Sequence, residues 1–148
     1  MAATLKQISD AIIVKIAALS EFNVHTVLTF KGDIEEFLDR QTRNLPFCGV
    51  TLVSGDYPEE MRSTDNSLSR EDISFQLTVI AEDFRGQKFS TEDAYVLLEA
   101  LLSGLIGADL SLDGVAPVAI GGFIEDEDLA DRGIAVYRMT IGTWQVRQ

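Results

Sequence analysis

Apolar residues return at helical spacing at the start of the chain: Leu5, Ile8, Ile12, Ile16 and Leu19 predict an amphipathic helix from about Thr4 to Leu19. The stretch NVHTVLTF is rich in β-branched residues and predicts a strand. Asp33 is placed to cap a second, shorter helix, IEEFLDRQTRN, whose Glu35 and Glu36 suit the positive end of the helix dipole. Pro46 stops that helix, because the residue before a proline is driven out of the helical region. The apolar run FCGVTLVSG then reads as a buried strand. From Gly55 to about Arg70 the periodicity is lost. GDYPEEMRSTDNSLSR predicts a long polar loop, and a loop of that length in a compact domain is usually functional or disordered.

The second half of the chain is patterned more sharply. Ile73, Phe75, Leu77, Val79 and Ala81 alternate with Ser74, Gln76, Thr78 and Glu82, a strand with one face buried. Ala94, Tyr95, Leu97, Leu98, Leu101, Leu102 and Leu105 form a broad apolar face on a helix from about Thr91 to Ile106, with Ser90 as its expected N-cap and Gly104 and Gly107 as stops. VAPVAIGGFIEDE and GIAVYRMTIGTWQV are two further strands joined by the acidic turn EDEDLADRG. The predicted order is α-β-α-β-loop-β-α-β-β, without repeats or a dividing linker. It describes one domain over residues 1–148. The expected class is α+β, with helices packed on one face of a mixed, mainly antiparallel sheet.

Charge changes the picture most. The chain carries 24 acidic and 12 basic side chains, a net charge of -12. Its cations are dispersed between Lys6 and Arg147, mostly beside acids, so no basic patch favours a phosphate backbone and specific nucleic-acid binding is not expected. Cys48 is the sole cysteine, which rules out an intrachain disulfide. The apolar stretch near the start is broken by Asp10 and Lys15, and it is too short for a membrane span and unlike a signal peptide. A membrane or secreted protein is therefore not the expectation.

Candidate chemistry is sparse. Gly86, Lys88, Ser90 and Thr91 fall between a strand and a helix, where phosphate-gripping loops occur. Such a loop needs G-x-x-x-x-G-K-[ST], so that backbone N–H groups wrap the phosphates. Here one glycine stands alone, Phe89 separates Lys88 from Ser90, and Glu82 and Asp83 would repel a polyphosphate. The run Glu125 to Asp131 has carboxylates that suit Ca²⁺, but it lacks the central glycine and terminal glutamate of an EF-hand and reads as a solvated turn. His25 and Cys48 are the one conceivable Cys–His pair, and Cys48 lies in an apolar run where a thiol is usually inert. One histidine and one cysteine do not make an ordinary zinc site, and Trp144 reads as core or interface. No catalytic, cofactor or metal residue is assigned.

With the motifs set aside, the layout itself resembles a known family. The opening ISDAIIVKIAAL, the unit IEEFLDRQTRNLPFCGVTLVSGDY, the strand FQLTVIAEDFRG, the helix EDAYVLLEALLSGLIG and the closing GIAVYRMTIGTW are similar to the tail terminator (tail completion) proteins of Mu-like contractile-tailed phages and prophages. Arg43, Leu45 and Pro46 stand at that family's helix-to-strand junction, and the likeness covers nearly the whole chain. The resemblance implies a non-enzymatic assembly protein: a homohexameric ring that caps the tail tube, stops polymerisation and offers a joining surface to the head–tail connector. Implied partners are other copies of the chain, tube and sheath subunits and the connector, with no cofactor. Its implied place is the head-proximal end of the virion tail, after assembly in the host cytoplasm. Another virion ring component (head–tail joining, neck or baseplate) is the main alternative, and a small cytoplasmic enzyme using Cys48 and His25 is a weaker one.

Two surfaces are expected to carry the assembly role. The long loop holds Tyr57, Met61 and Arg62 and ends at Arg70, residue types enriched at interfaces, and is expected to grip a partner. Glu125, Asp126, Glu127 and Asp128 are the densest acids and are the expected lining of a channel through which DNA passes without sticking.

Overall fold

The computed structural model describes residues 2–22, 27–29, 47–58, 69–82, 87–126 and 134–147. Helix α1 spans Leu5–Ala17, and the short strand β1 spans Val27–Thr29. Strands β2 (Phe47–Asp56) and β3 (Ser69–Glu82) precede helix α2 (Gln87–Leu105), and β4 (Ala119–Glu125) and β5 (Ile134–Arg147) close the chain. The sheet runs β1-β2-β3-β5-β4. β1 pairs with β2 in parallel, and the other three pairings are antiparallel. The class is α+β, as the pattern predicts. The shorter helix expected after Asp33 lies outside the described residues.

Helix α1 forms for reasons written in its own residues. The Thr4 side chain accepts the Gln7 N–H at 3.1 Å, and the Gln7 side chain reaches back to the Thr4 N–H at 2.8 Å, a reciprocal capping box. Ile8, Ile12 and Ile16 follow on one stripe and are fully buried, each stabilising the fold by about 1.5–3 kcal/mol. Lys15 in the last turn suits the negative end of the helix dipole.

The centre of the sheet is the β3–β5 ladder, paired without a break from Ser69↔Arg147 to Glu82↔Ile134. At the rise of a strand this ribbon extends roughly 45 Å. Its inward side chains, Ile73, Phe75, Leu77 and Val79 facing Tyr137, Met139 and Ile141, join Ile8, Ile12 and Ile16 of α1 and Leu97, Leu98, Leu101 and Leu105 of α2 in one core. The helices therefore cover one face. The opposite face is not uniformly wet, however: Phe47, Ile80, Ile134 and Val136 are buried there outside that core, and Thr78 is buried beside them.

Several boundaries differ from the expectation. β2 is a buried strand only over Phe47–Val50; from Leu52 onward it is exposed, and its pairing with β3 is interrupted by a bulge between Leu52 and Ser54. β2 also continues to Asp56 and β3 begins at Ser69, so the expected loop over 55–70 is shorter at both ends. Polar residues build these strand ends because backbone pairing, rather than side-chain alternation, holds them.

Helix α2 starts at Gln87, so Ser90 is not its N-cap but a fully buried residue of the first turns. Gln, Lys and Phe tolerate helical backbone well enough for packing to extend the helix backwards. Gly104 does not stop the helix either. A Cβ there would meet Leu19 Cδ2 at 2.7 Å, so this glycine admits the side chain that follows α1. Gly107 is the stop, at φ +69°, donating its N–H to the Val118 carbonyl at 2.9 Å.

Candidate functional site

The inward positions of β3 and β5 turn polar together at one end of the sheet. Glu71, Thr143 and Gln145 occupy places that the alternation would assign to apolar residues, and all three are buried. Glu71 gathers this end. Arg147 grips its carboxylate with two N–H groups, Nε at 2.9 Å and Nη2 at 3.0 Å, and Gln145 Nε2 donates at 2.9 Å. The Tyr57 hydroxyl donates to the same carboxylate. Gln145 also exchanges two 3.0 Å hydrogen bonds with the backbone of Ala3. One buried acid thus ties together the residue that follows β2, the last strand and the segment leading into α1. Burial pushes the Glu71 carboxyl upward, but the hydrogen bonds from Arg147, Tyr57 and Gln145 and the Arg147 charge outweigh it and hold the group below the usual carboxylate range.

On the other face of the same end, Arg70 stacks 4.4 Å from the Trp144 ring centroid and pairs with Asp72 at 2.7 Å. Trp144 and its neighbour Val146 are exposed. Of the residues expected to bind a partner, the structure brings Tyr57 and Arg70 to one end of the sheet but on opposite faces, Tyr57 engaged with Glu71 and Arg70 with Trp144. Met61 and Arg62 lie outside the described residues.

The acidic cluster is divided in the same way. Glu125 is exposed at the end of β4. Asp126 accepts from Arg138 Nη2 at 3.1 Å and Nε at 3.3 Å, while Arg138 Nη1 also reaches Gln76 Oε1 at 3.2 Å. Part of its negative charge is therefore offset locally. Glu127 and Asp128 lie outside the described residues.

β4 has features the pattern did not reveal. It is an edge strand of the sheet, and it carries Phe123 at 53 % exposure and Ile124 at 70 %, on opposite faces. Ala119–Glu125 holds neither lysine nor proline, and the protection an edge strand needs comes here from a bulge between Ile120 and Gly122. Across the described residues the helix surface also shows an open groove of about 670 Å³ between the end of α1 and α2.

Nothing in this arrangement of the described residues resembles an active site. Cys48 is fully buried, and burial pushes its thiol up to about 12, far from a nucleophile. His25 lies outside the described residues. Lys88 and Thr91 sit in the first turns of α2 with Ser90, which is buried where no phosphate could reach it, and Gly86 is outside the described residues. Among the described residues no group of three or more His, Cys, Asp and Glu gathers as metal ligands, and no helix is long and apolar enough to cross a membrane.

No protein-family model and no curated protein matches the chain. Among solved structures the fold is similar to a chain in the virion of a native gene transfer agent (GTA) particle, with a TM-score of 0.61 and 16 % sequence identity. The likeness covers 99 % of this chain and 100 % of that one.

Proposed function

We propose that the chain is a structural protein of a phage-type virion and, within that class, a tail terminator. The observation that carries the reading is the end-to-end match of its fold to a chain from a virion particle, with no insertion large enough to break coverage on either side. The exposed side chains of the β4 edge support it. Phe123 and Ile124 are two large apolar side chains that a neighbouring subunit in a ring would cover.

In this reading copies of the chain close a homohexameric ring on the tail tube, end its growth, and present a surface to the head–tail connector. The Glu125–Asp128 turn is proposed to face the channel, where carboxylates keep DNA from adhering. The loop predicted over 55–70, with Tyr57, Met61, Arg62 and Arg70, is proposed to reach a tube, sheath or connector subunit. The particle would hold the ring at the head-proximal end of its tail.

Electron microscopy of the purified protein with and without tail tubes tests this. Rings that bind one end of the tube and stop its growth are the expected result. Protein that stays monomeric at high concentration and ignores tubes would count against it, and rings that bind heads or baseplates instead would move the chain to another ring of the virion.

A further inference from the structure

Helix α2 turns a second apolar surface away from the core. Tyr95 and Val96, 53 % and 58 % exposed, stand at the start of a groove whose floor continues along Ala100 and Gly104, with Leu19 as the opposite wall. The floor follows one stripe of the helix, at positions 96, 100 and 104. Leu19 can lie low there because Gly104 has no Cβ. Glu21 and Glu99 are the only charged residues of the described lining, and both are exposed. An apolar floor between two carboxylates specifies its ligand by charge as well as by shape.

We propose that this groove docks an amphipathic helical segment of another protein, with apolar anchors at i, i+4 and i+7 and lysine or arginine at its flanks. The stripe from Val96 to Gly104 is roughly 12 Å long at the helical rise, enough for two turns of a partner helix. A second copy presenting the same face is the less suitable occupant, since it would set Glu21 and Glu99 against their own counterparts. Nucleic acid is excluded by the same sign. The groove is open along its length rather than a closed cavity, which suits a peptide face better than a small molecule. The assembly reading enters only in making that other protein a neighbour in the virion; the docking itself is tested without a virion.

The probe is a fluorescent helical peptide of leucine and lysine, titrated into the full chain at physiological salt, with a lysine–serine peptide of equal charge as control. The leucine–lysine peptide should bind, and the amide signals it shifts in NMR spectra should centre on Val96, Ala100 and Gly104. The double variant Glu21→Lys/Glu99→Lys and the single variant Val96→Asp should each weaken binding on the order of tenfold. Unchanged circular dichroism would show that both remain folded, as exposed positions allow. Gly104→Ala, which pushes Leu19 into the groove, should weaken binding as well.

Equal binding of the control peptide, shifts spread over the whole acidic surface, or unchanged affinity in the charge-reversed variant would overturn the proposal. Concentration-dependent shifts at Val96 without peptide would give the face to a second copy and overturn it too. None of these results bears on whether the protein forms rings on tube ends.

Discussion

Two side chains set limits on what this protein does. A thiol with its pKa at about 12 is thiolate in only about one molecule in 10⁵ at neutral pH. Cys48 should therefore resist iodoacetamide in native buffer and react once denaturant opens the core; rapid labelling of the native protein would revive a nucleophilic role. Cys48→Ala should cost about 1–2 kcal/mol and leave function intact. Glu71 makes the opposite kind of contribution. Its folded pKa is lowered, so the stability it adds is fully present above the ordinary carboxyl value near ~4.3 and is lost as pH falls from there through the folded value. Glu71→Gln should cost about 1–3 kcal/mol at neutral pH, since Arg147 loses its ionic partner. The variant should also lose less stability than the wild type between neutral and acid pH. Parallel denaturation midpoints across that range would show that Glu71 is not held in its charged form.

At the scale of elements, β4 decides more than its seven residues suggest. Because Phe123 and Ile124 are exposed on an edge strand, Phe123→Lys/Ile124→Lys should change monomer stability by about 0.5 kcal/mol or less per site while blocking self-association. Sedimentation of the variant beside the wild type checks this, and rings that persist in the variant would place the subunit contact elsewhere. The α2 terminus offers a contrasting case in which backbone matters and side chains do not. Gly107 stands at φ +69° with open space around its missing Cβ, so Gly107→Ala should cost about 1–2 kcal/mol through strain alone. Thermal melts measure it.

Charge governs the molecule as a whole. A net charge of -12 opposes the gathering of copies and opposes DNA. If copies close the proposed ring, its formation should strengthen as salt is raised from about 0.05 to 0.5 M, because screening removes the repulsion between subunits. Light scattering over that range tests it, and weakening with salt would mean that ion pairs hold the ring. Free duplex DNA should show no mobility shift at physiological salt. Replacing Glu125, Asp126, Glu127 and Asp128 by their amides should leave the chain folded, since the one described ion pair it removes, Asp126–Arg138, is partly exposed and worth about 0–1 kcal/mol. If these acids face the channel, tails should still assemble but pass DNA poorly.

What the sequence determined by itself is whatever depends on neighbours a few positions apart. The isoleucine spacing of α1, the alternation of β3 and the glycine that ends α2 are local signals, and the structure follows them. The α+β class follows in turn, because these faces must be buried against one another. The sequence also limited the chemistry, through one cysteine and a dispersed set of cations.

The tertiary structure decided what depends on partners far apart in the chain. Glu71 looks like the polar end of a loop until β5 pairs beside it and brings Gln145 and Arg147, 74 and 76 positions away, onto its carboxylate. A polar residue at an inward position of β3 was the available signal, but the alternation becomes readable only when the register is known. The same holds for β2, whose Leu52 and Val53 are exposed within an apolar run, and for Ser90, buried by packing rather than left to cap a helix. Only the strand order places β4 at an edge, and only the approach of Leu19 to Gly104 makes a groove. Periodicity records which way a side chain turns on its own element; pairing and packing decide what it meets there.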